Sequence, residues 1–189
     1  VVGFSKKIVK RNKAKKGDDI YVTGNLGDSF IGLNILKKKI NINKKINTYF
    51  IKKYYHPELP VKTCKYLNKF ANSSIDISDG LFADLKKLIN DQKLGFVINL
   101  DKIPISINLS LYLKKNKKKK INVISKGDDY QVAFTSSKEN RIFIKKFFKR
   151  INQKVTRIGT ITNQSKLGLV INHRKVLKPL NNDGYLHKF

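Results

Sequence analysis

An acidic stretch in the middle of the chain contains the residue types of a metal site. In residues 74–81 (SIDISDGL) two isoleucines alternate with Asp76 and Ser78. If this is a strand, the alternation buries the isoleucines and places Asp76 and Ser78 together on the other face. Asp79 would then begin a helix, where its carboxylate can accept from free backbone N–H groups. The spacing therefore predicts three oxygen-bearing side chains at one strand-to-helix corner.

The chemistry of such a corner depends on its charge. A helix N-terminus attracts anions such as phosphate, but two carboxylates at the same place would repel one. A hard divalent cation resolves this conflict, because Mg²⁺ binds carboxylates together with phosphate oxygens and waters. Alternatively, Asp79 is only a helix cap and Asp76 a solvated residue at a sheet edge. The stretch by itself leaves both interpretations open.

A second acidic pair follows later in the chain, in residues 126–130 (KGDDY). A glycine turn places Asp128 and Asp129 at the entry of a strand. The pair could hold a cationic substrate or a metal, or it could be a solvated turn. Residues 22–29 (VTGNLGDS) lack the Gly-Lys-Ser/Thr ending of a phosphate loop and the spacing of a dinucleotide fingerprint. They predict a tight turn without a ligand.

Covalent and zinc chemistry are disfavoured by the remaining reactive residues. His56, His173 and His187 are far apart in the sequence and show no zinc-protease spacing. Cys64 lies within an apolar helical pattern and is expected in the core. The sequence also has no Gly-x-Ser-x-Gly nucleophile motif. Metal-assisted transfer is the chemistry that remains, and no side chain is assigned as catalytic.

Strands and helices are interspersed along the chain, which predicts the α+β class with a mixed sheet and packed helices. The predicted strands are 1–9, 20–23, 74–77, 96–100, 130–135, 155–162 and 168–172. The predicted helices are one beginning at 28 or 29, followed by 46–55, 61–71, 79–91, 109–113 and 139–151. Asp28 or Ser29 is expected to cap the first helix. In the last helix, the residues expected to face the core are Ile142, Phe143, Phe147 and Ile151.

Composition narrows the class of protein. The 189 residues are 40% hydrophobic, enough for a packed core, and no apolar run reaches the roughly 18 residues of a membrane span. One cysteine excludes an internal disulfide, and the start shows no secretory signal, so a cytoplasmic location is expected. The net charge of +28 could serve to bind a nucleic acid or an anionic membrane. Because the lysines are spread evenly beside abundant Asn and Ile, genome composition is the favoured explanation, and no specific nucleic acid is expected.

The chain has no Met anywhere, which suggests an internal piece of a longer reading frame. Residues 1–13 are therefore expected to be the end of an amino-terminal domain and a linker. Residues 14–189 are expected to form a carboxyl-terminal α+β domain.

The order of the motifs is more specific than any motif alone. The series resembles the carboxyl-terminal half of the thiamine-monophosphate kinase family, within the superfamily of aminoimidazole-ribonucleotide synthetase. The matching motifs are Thr23-Gly24 with Leu26-Gly27-Asp28-Ser29, residues 74–81 with Asp84-Leu85, Gly127-Asp128-Asp129-Tyr130 and residues 184–189.

The resemblance implies a reaction in which ATP and thiamine monophosphate give ADP and thiamine diphosphate. Transfer would be direct, with Mg²⁺ ions bridging the phosphates. Asp76 and Asp79 match magnesium ligands of the family, and Ser78 matches a nucleotide contact. Arg11 matches an arginine that contacts the ATP phosphates.

The resemblance also implies a substrate site. Asp128 stands where the family has a substrate-binding Glu, and Tyr185 matches a carboxyl-terminal aromatic residue at the thiamine site. Lys126 and Leu186 depart from the family pattern. The family's amino-terminal domain would supply further aspartates and form a homodimer. The alternatives are another ATP-dependent synthetase of the superfamily, resembling selenophosphate synthetase or a hydrogenase maturation factor, and a basic nucleic-acid-binding protein.

Overall fold

The computed structural model describes residues 7–90, 92–163, 169–172 and 175–177, and the structure is reported for these. Their strands are β1 (Asp19–Thr23), β2 (Ser73–Ile77), β3 (Leu94–Asn99), β4 (Gln131–Ser136), β5 (Val155–Asn163), β6 (Leu169–Asn172) and β7 (Lys175–Leu177). All seven belong to one sheet in the order β2-β4-β1-β5-β3-β6-β7. Neighbouring strands are antiparallel except β3 and β6, which are parallel, so the predicted mixed sheet is confirmed.

Helices alternate with these strands, which confirms the predicted α+β class. The α-helices of the described residues are α1 (Asp28–Leu36), α2 (Lys44–Tyr55), α3 (Val61–Cys64), α4 (Leu81–Leu88), α5 (Ile107–Lys115), α6 (Lys120–Ile124) and α7 (Arg141–Arg150). Short 3₁₀ turns cover Leu67–Lys69, Leu100–Lys102 and Lys138–Asn140. Within this part of the chain, no helix has the length and apolar character needed to cross a membrane.

The central strand β1 separates two apolar cores. All five of its residues are buried, with Ile20 and Val22 on one face of the sheet and Tyr21 on the other. The first face packs on α4, which contributes Leu81 and Leu85. The second face packs on α7 through a group of aromatic rings, in which Phe134 stacks on both Tyr21 and Phe148. Because helices cover both faces of the sheet, both sides of β1 are buried.

A third core joins α1, α2, α5 and α6 without strands. Its fully buried members include Ile31 of α1, Phe50 of α2 and Leu109 of α5. Gly32 lets α1 and α2 approach closely, because a Cβ at this position would lie 2.2 Å from the carbonyl oxygen of Phe50. The α5 helix is capped by Ser106, whose hydroxyl accepts from the amide of Leu109 at 3.0 Å.

Several predicted details differ from the structure. The predicted helix 61–71 is broken into α3 and a 3₁₀ turn, and Cys64 is exposed rather than in the core. The predictions for α7 were also partly wrong, since Ile142 and Phe143 are exposed by 70% and 44%. The α7 side chains that are buried are Ile144, Phe147 and Phe148. The sequence of α7 carries two overlapping apolar stripes, and only its packing on the sheet selects between them.

Three predictions concern the ends of the chain. Of the predicted first strand, residues 1–6 lie outside the described residues, and the prediction is wrong for 7–9, which carry no regular structure. The carboxyl-terminal aromatic Tyr185 also lies outside them. The division of the chain at residue 13 stays a prediction.

Candidate active site

The strand-to-helix corner is built around a buried carboxylate. Strand β2 ends at Ile77, α4 begins at Leu81, and Asp84 in the first turn of α4 reaches back to the intervening turn. Its Oδ2 accepts from three consecutive backbone amides, those of residues 78–80, at 3.0, 3.0 and 3.1 Å. Burial raises the pKa of Asp84, and the amide of Asp79 and the Lys87 ammonium oppose this rise. Asp84 therefore satisfies the N–H groups of the turn that leads into the helix.

The predicted capping role of Asp79 is consequently wrong. Its side chain makes no cap to α4, whose N-cap residue is Gly80. The carboxylate of Asp79 instead forms an ion pair with Lys87 Nζ, which also lies 3.3 Å from Asp84 Oδ1. The hydrogen bond to Asp79 is the largest cause that raises the pKa of Lys87. A lysine one turn further along the helix thus partly neutralises the corner.

Three of the predicted site residues line one cavity of about 470 Å³ beside this corner, namely Arg11, Asp76 and Ser78. Asp84 and Lys87 line it from α4. The remaining lining residues are Val9, Cys64, Leu67, Ser74, Ile75 and Val132. The structure therefore brings together an arginine, a hydroxyl and a carboxylate that are far apart in the sequence.

Arg11 reaches this cavity because the segment that carries it is held against the core. The amide of Asn12 donates to the carbonyl of Leu88 at 2.9 Å. The side chain of Gln92 bonds both backbone atoms of Ala14, accepting from its N–H at 3.2 Å and donating to its carbonyl at 2.8 Å. These contacts attach the segment to the end of α4 and the start of β3.

The second acidic stretch docks on the first. The amide of Asp128 donates to the carbonyl of Ser78 at 2.9 Å, and the amide of Tyr130 donates to that of Ile77 at 2.9 Å. A Cβ on Gly127 would lie 1.7 Å from the Ser78 carbonyl oxygen, so the contact requires glycine. The two stretches are therefore adjacent in the structure.

Backbone strain marks the docked loop. Asp128 and Tyr130 have φ angles of 69° and 50°, in the left-handed region that non-glycine residues seldom adopt. Such conformations persist where surrounding contacts impose them, and they cluster at ligand sites. Asp128 is half-buried and Tyr130 is 42% exposed. Burial raises the pKa of Tyr130, and the charges of Asp128, Asp76 and Asp79 raise it further.

The neighbouring acid, Asp129, points into the protein. Its two oxygens accept from the amide of Gly27 at 2.9 and 2.8 Å, and the amide of Ser29 also donates to it. Burial raises the pKa of Asp129 well above its usual value. Asp129 thus supplies the cap that was expected from Asp28 or Ser29. Asp28 is itself buried and accepts from the Ser106 hydroxyl at 2.6 Å.

The oxygen donors at the corner match the chemistry of Mg²⁺. Asp76 is exposed, and Ser78 and Asp79 are half-buried, so their oxygens can reach a ligand. Within the described residues, no three His, Cys, Asp or Glu side chains are close enough together to hold a metal ion. A Mg²⁺ ion here would need further oxygens, and phosphates and waters commonly supply them.

Sequence reasoning missed the roles of Asp84, Lys87 and Asp129. An acid in the first turn of a helix was the available signal for Asp84. No local signal existed for Asp129, because its bonding partner Gly27 is 102 residues away.

Residues 15–172 match the family model described as AIR synthase related protein, C-terminal domain. This match covers most of the chain, and the chain belongs to this family.

The individual relatives are thiamine-monophosphate kinases, as the order of the motifs indicated. That of Buchnera aphidicola subsp. Schizaphis graminum is 42% identical over 178 residues, which are 91% of this chain and 54% of the relative. The crystal structure of the Aquifex aeolicus thiamine monophosphate kinase has a TM-score of 0.74 at 31% identity, over 94% of this chain and 57% of its own. The chain thus spans about half the length of the relatives it matches.

Two further solved structures bear on the alternatives. AaThiL complexed with AMPPCP and TMP has a TM-score of 0.72 at 31% identity, over 90% of this chain and 52% of its own. The hydrogenase maturation protein HypE has a TM-score of 0.61 at 13% identity, over 96% of this chain and 59% of its own. The likeness to HypE shows a shared fold alone.

Proposed function

We propose that this chain is part of an ATP-dependent kinase that converts thiamine monophosphate to thiamine diphosphate. The observation that carries the proposal is the cavity lined by Arg11, Asp76 and Ser78. The family resemblance assigns these residues to phosphate, metal and nucleotide. The identity to thiamine-monophosphate kinases supports the same activity, as does the similarity to AaThiL complexed with AMPPCP and TMP.

The cavity is the phosphate end of the proposed site. Arg11 would bind the ATP phosphates through its guanidinium, which matches the geometry of phosphate oxygens. Asp76 and Asp79 would hold Mg²⁺, and Ser78 would contact the nucleotide. When bound, the metal would neutralise the charge that separates two anionic substrates. Phosphoryl transfer of this kind depends on positioning and charge, and it needs no covalent nucleophile.

The docked loop is the thiamine end of the proposed site. The rings of thiamine carry a positive charge, and its phosphate is anionic, so the site must present both polarities. Asp128 would provide the carboxylate, and Tyr185 an aromatic face. The resemblance further supports a cytoplasmic homodimer that associates through an amino-terminal domain outside this chain.

The activity can be tested in a hybrid enzyme. This chain would replace the matched segment of the Buchnera aphidicola kinase, and formation of thiamine diphosphate from ATP and thiamine monophosphate would be followed by chromatography. We expect turnover that requires Mg²⁺ and falls at least about a hundredfold in Asp76→Asn, in line with the loss of a charge-stabilising group. A matched control is Asp101→Asn, which changes one exposed acid outside the cavity. A folded hybrid that phosphorylates another small molecule and ignores thiamine monophosphate would contradict the proposal.

The thiamine end can be tested in the same hybrid with Asp128→Glu and Asp128→Ala. Restoring the longer carboxylate should keep or lower the KM for thiamine monophosphate. Removing the carboxylate should raise this KM by about tenfold or more, since a hydrogen bond to a charged group contributes roughly 1.5–3 kcal/mol. An unchanged KM in Asp128→Ala would show that Asp128 is only a turn residue.

A further inference from the structure

The ammonium of Lys87 is paired with the carboxylate of Asp79, which the proposed function assigns to Mg²⁺. It pairs with Asp79 Oδ2 and lies 3.3 Å from Asp84 Oδ1. The same side chain lines the cavity with Arg11 and Asp76. A cation fixed to the protein therefore already lies where a free cation is expected.

Most hydrogen bonds of the buried Asp84 carboxylate do not depend on Lys87. Asp84 is 1% exposed, and its Oδ2 accepts from three backbone amides, whereas its Oδ1 lies 3.3 Å from Lys87 Nζ. The lysine side chain is 44% exposed and lies in the last turn of α4, where a cation is favourable whether or not it is paired. Displacement of Lys87 from Asp79 is therefore inexpensive, because exposed ion pairs are weak.

We propose that Lys87 is a built-in competitor of the divalent cation, which must displace the Lys87 ammonium from Asp79 in order to bind. This inference rests on the proposed function, because it takes Asp79 as a metal ligand. Lys87 would then lower the affinity of the corner for the metal and keep Asp79 neutralised when no metal is bound.

Mn²⁺ binding to Lys87→Met tests the proposal directly. The probe is Mn²⁺, whose free concentration is read by electron paramagnetic resonance, with the 189-residue chain and with or without AMPPCP. The matched control is Lys114→Met, which removes an exposed lysine from the last turn of α5, away from the cavity. Lys87→Met should bind Mn²⁺ about twofold to fivefold more tightly than the control, the range expected for loss of a partly exposed ion pair. Adding Asp79→Asn to Lys87→Met should abolish the gain.

The thermal unfolding midpoint provides a second readout. Without metal, Lys87→Met should unfold at a lower temperature than the control, because Asp79 loses its partner. With Mn²⁺, its midpoint should rise by more than that of the control. If Lys87→Met binds Mn²⁺ no more tightly than Lys114→Met, the competition is overturned while the metal site stands. If no variant shows saturable Mn²⁺ binding under either condition, the metal corner is overturned and the competition with it.

Discussion

Five aspartates lie at or beside the strand-to-helix corner, and burial divides the four other than Asp79 into two pairs. Asp84 and Asp129 are 1% and 5% exposed, and each accepts from backbone amides at or just before the start of a helix. Asp76 is exposed and Asp128 is half-buried. A buried carboxylate bonded to amides organises the backbone, whereas an accessible one can exchange its partners for a ligand. The first pair should therefore affect stability and the second should affect binding.

Replacement of Asp84 tests this division. Asp84→Ala removes the acceptor of three amides and should lower the free energy of unfolding by about 2–4 kcal/mol, the cost of leaving buried polar groups unpaired. Urea denaturation measures the change. Asp76→Ala is the control, because it alters an exposed acid of the same corner, and we expect it to change stability by less than about 0.5 kcal/mol. Equal losses in the two variants would contradict the assignment.

The raised pKa of Asp129 predicts a pH dependence of stability. The folded protein holds the Asp129 proton at pH values where the unfolded chain, with a pKa near 3.8, has released it. This contribution is therefore complete below pH 3.8 and is lost as the pH rises through the folded pKa. Asp129→Asn lacks the titration. The stability of the wild type relative to this variant should increase as the pH falls from about 8 towards about 4, by at most roughly 1.4 kcal/mol per pH unit. Denaturant unfolding over this pH series measures the difference, and a constant difference across the whole series would contradict the raised pKa.

At the scale of elements, both helices at the site, α1 and α4, have an N-cap residue without a side chain. The N-cap residues of α1 and α4 are glycines, and the carboxylates come from Asp129 and Asp84. The Asp129 carboxylate belongs to the loop that docks on the corner. The start of α1, the docked loop and the start of α4 are therefore joined by hydrogen bonds in one continuous series.

Gly127→Ala should break this series. The added methyl group would meet the Ser78 carbonyl oxygen at 1.7 Å, so the loop must move away from the corner. We expect a loss of about 2–4 kcal/mol in the free energy of unfolding, together with weaker nucleotide binding by the hybrid enzyme. Gly17→Ala is the control for backbone strain without a steric clash, because Gly17 has a φ of 87° and open space around it. That control should cost about 1 kcal/mol, which is the penalty for a left-handed residue with a side chain.

At the scale of the whole molecule, the charge of +28 acts on association rather than on the fold. The 41 basic residues of the chain far outnumber its 13 acidic residues. The excess makes weak attraction to any polyanion unavoidable. It carries no specificity, because the lysines are spread along the entire sequence.

Nucleic-acid binding should follow this expectation. Duplex DNA should bind at about 50 mM salt regardless of its sequence, and the affinity should fall by at least about a thousandfold at 200 mM. Asp76→Asn and Asp79→Asn should leave the binding unchanged or slightly stronger, because neither acid contacts DNA in this interpretation. Fluorescence anisotropy with two unrelated duplexes provides the measurement. Tight binding of one duplex that survives 200 mM salt would favour the nucleic-acid alternative.

The sequence alone determined the features that depend on residues close together in the chain. Alternation in residues 74–77 predicted β2, and the family resemblance named three of the residues that line the cavity. The tertiary structure decided which residues contact each other when they lie far apart in the sequence. It gave the cap of α1 to Asp129 across 102 residues, and it selected the buried stripe of α7. Periodicity records which side chains share a face, but the partner across a contact depends on how whole elements pack.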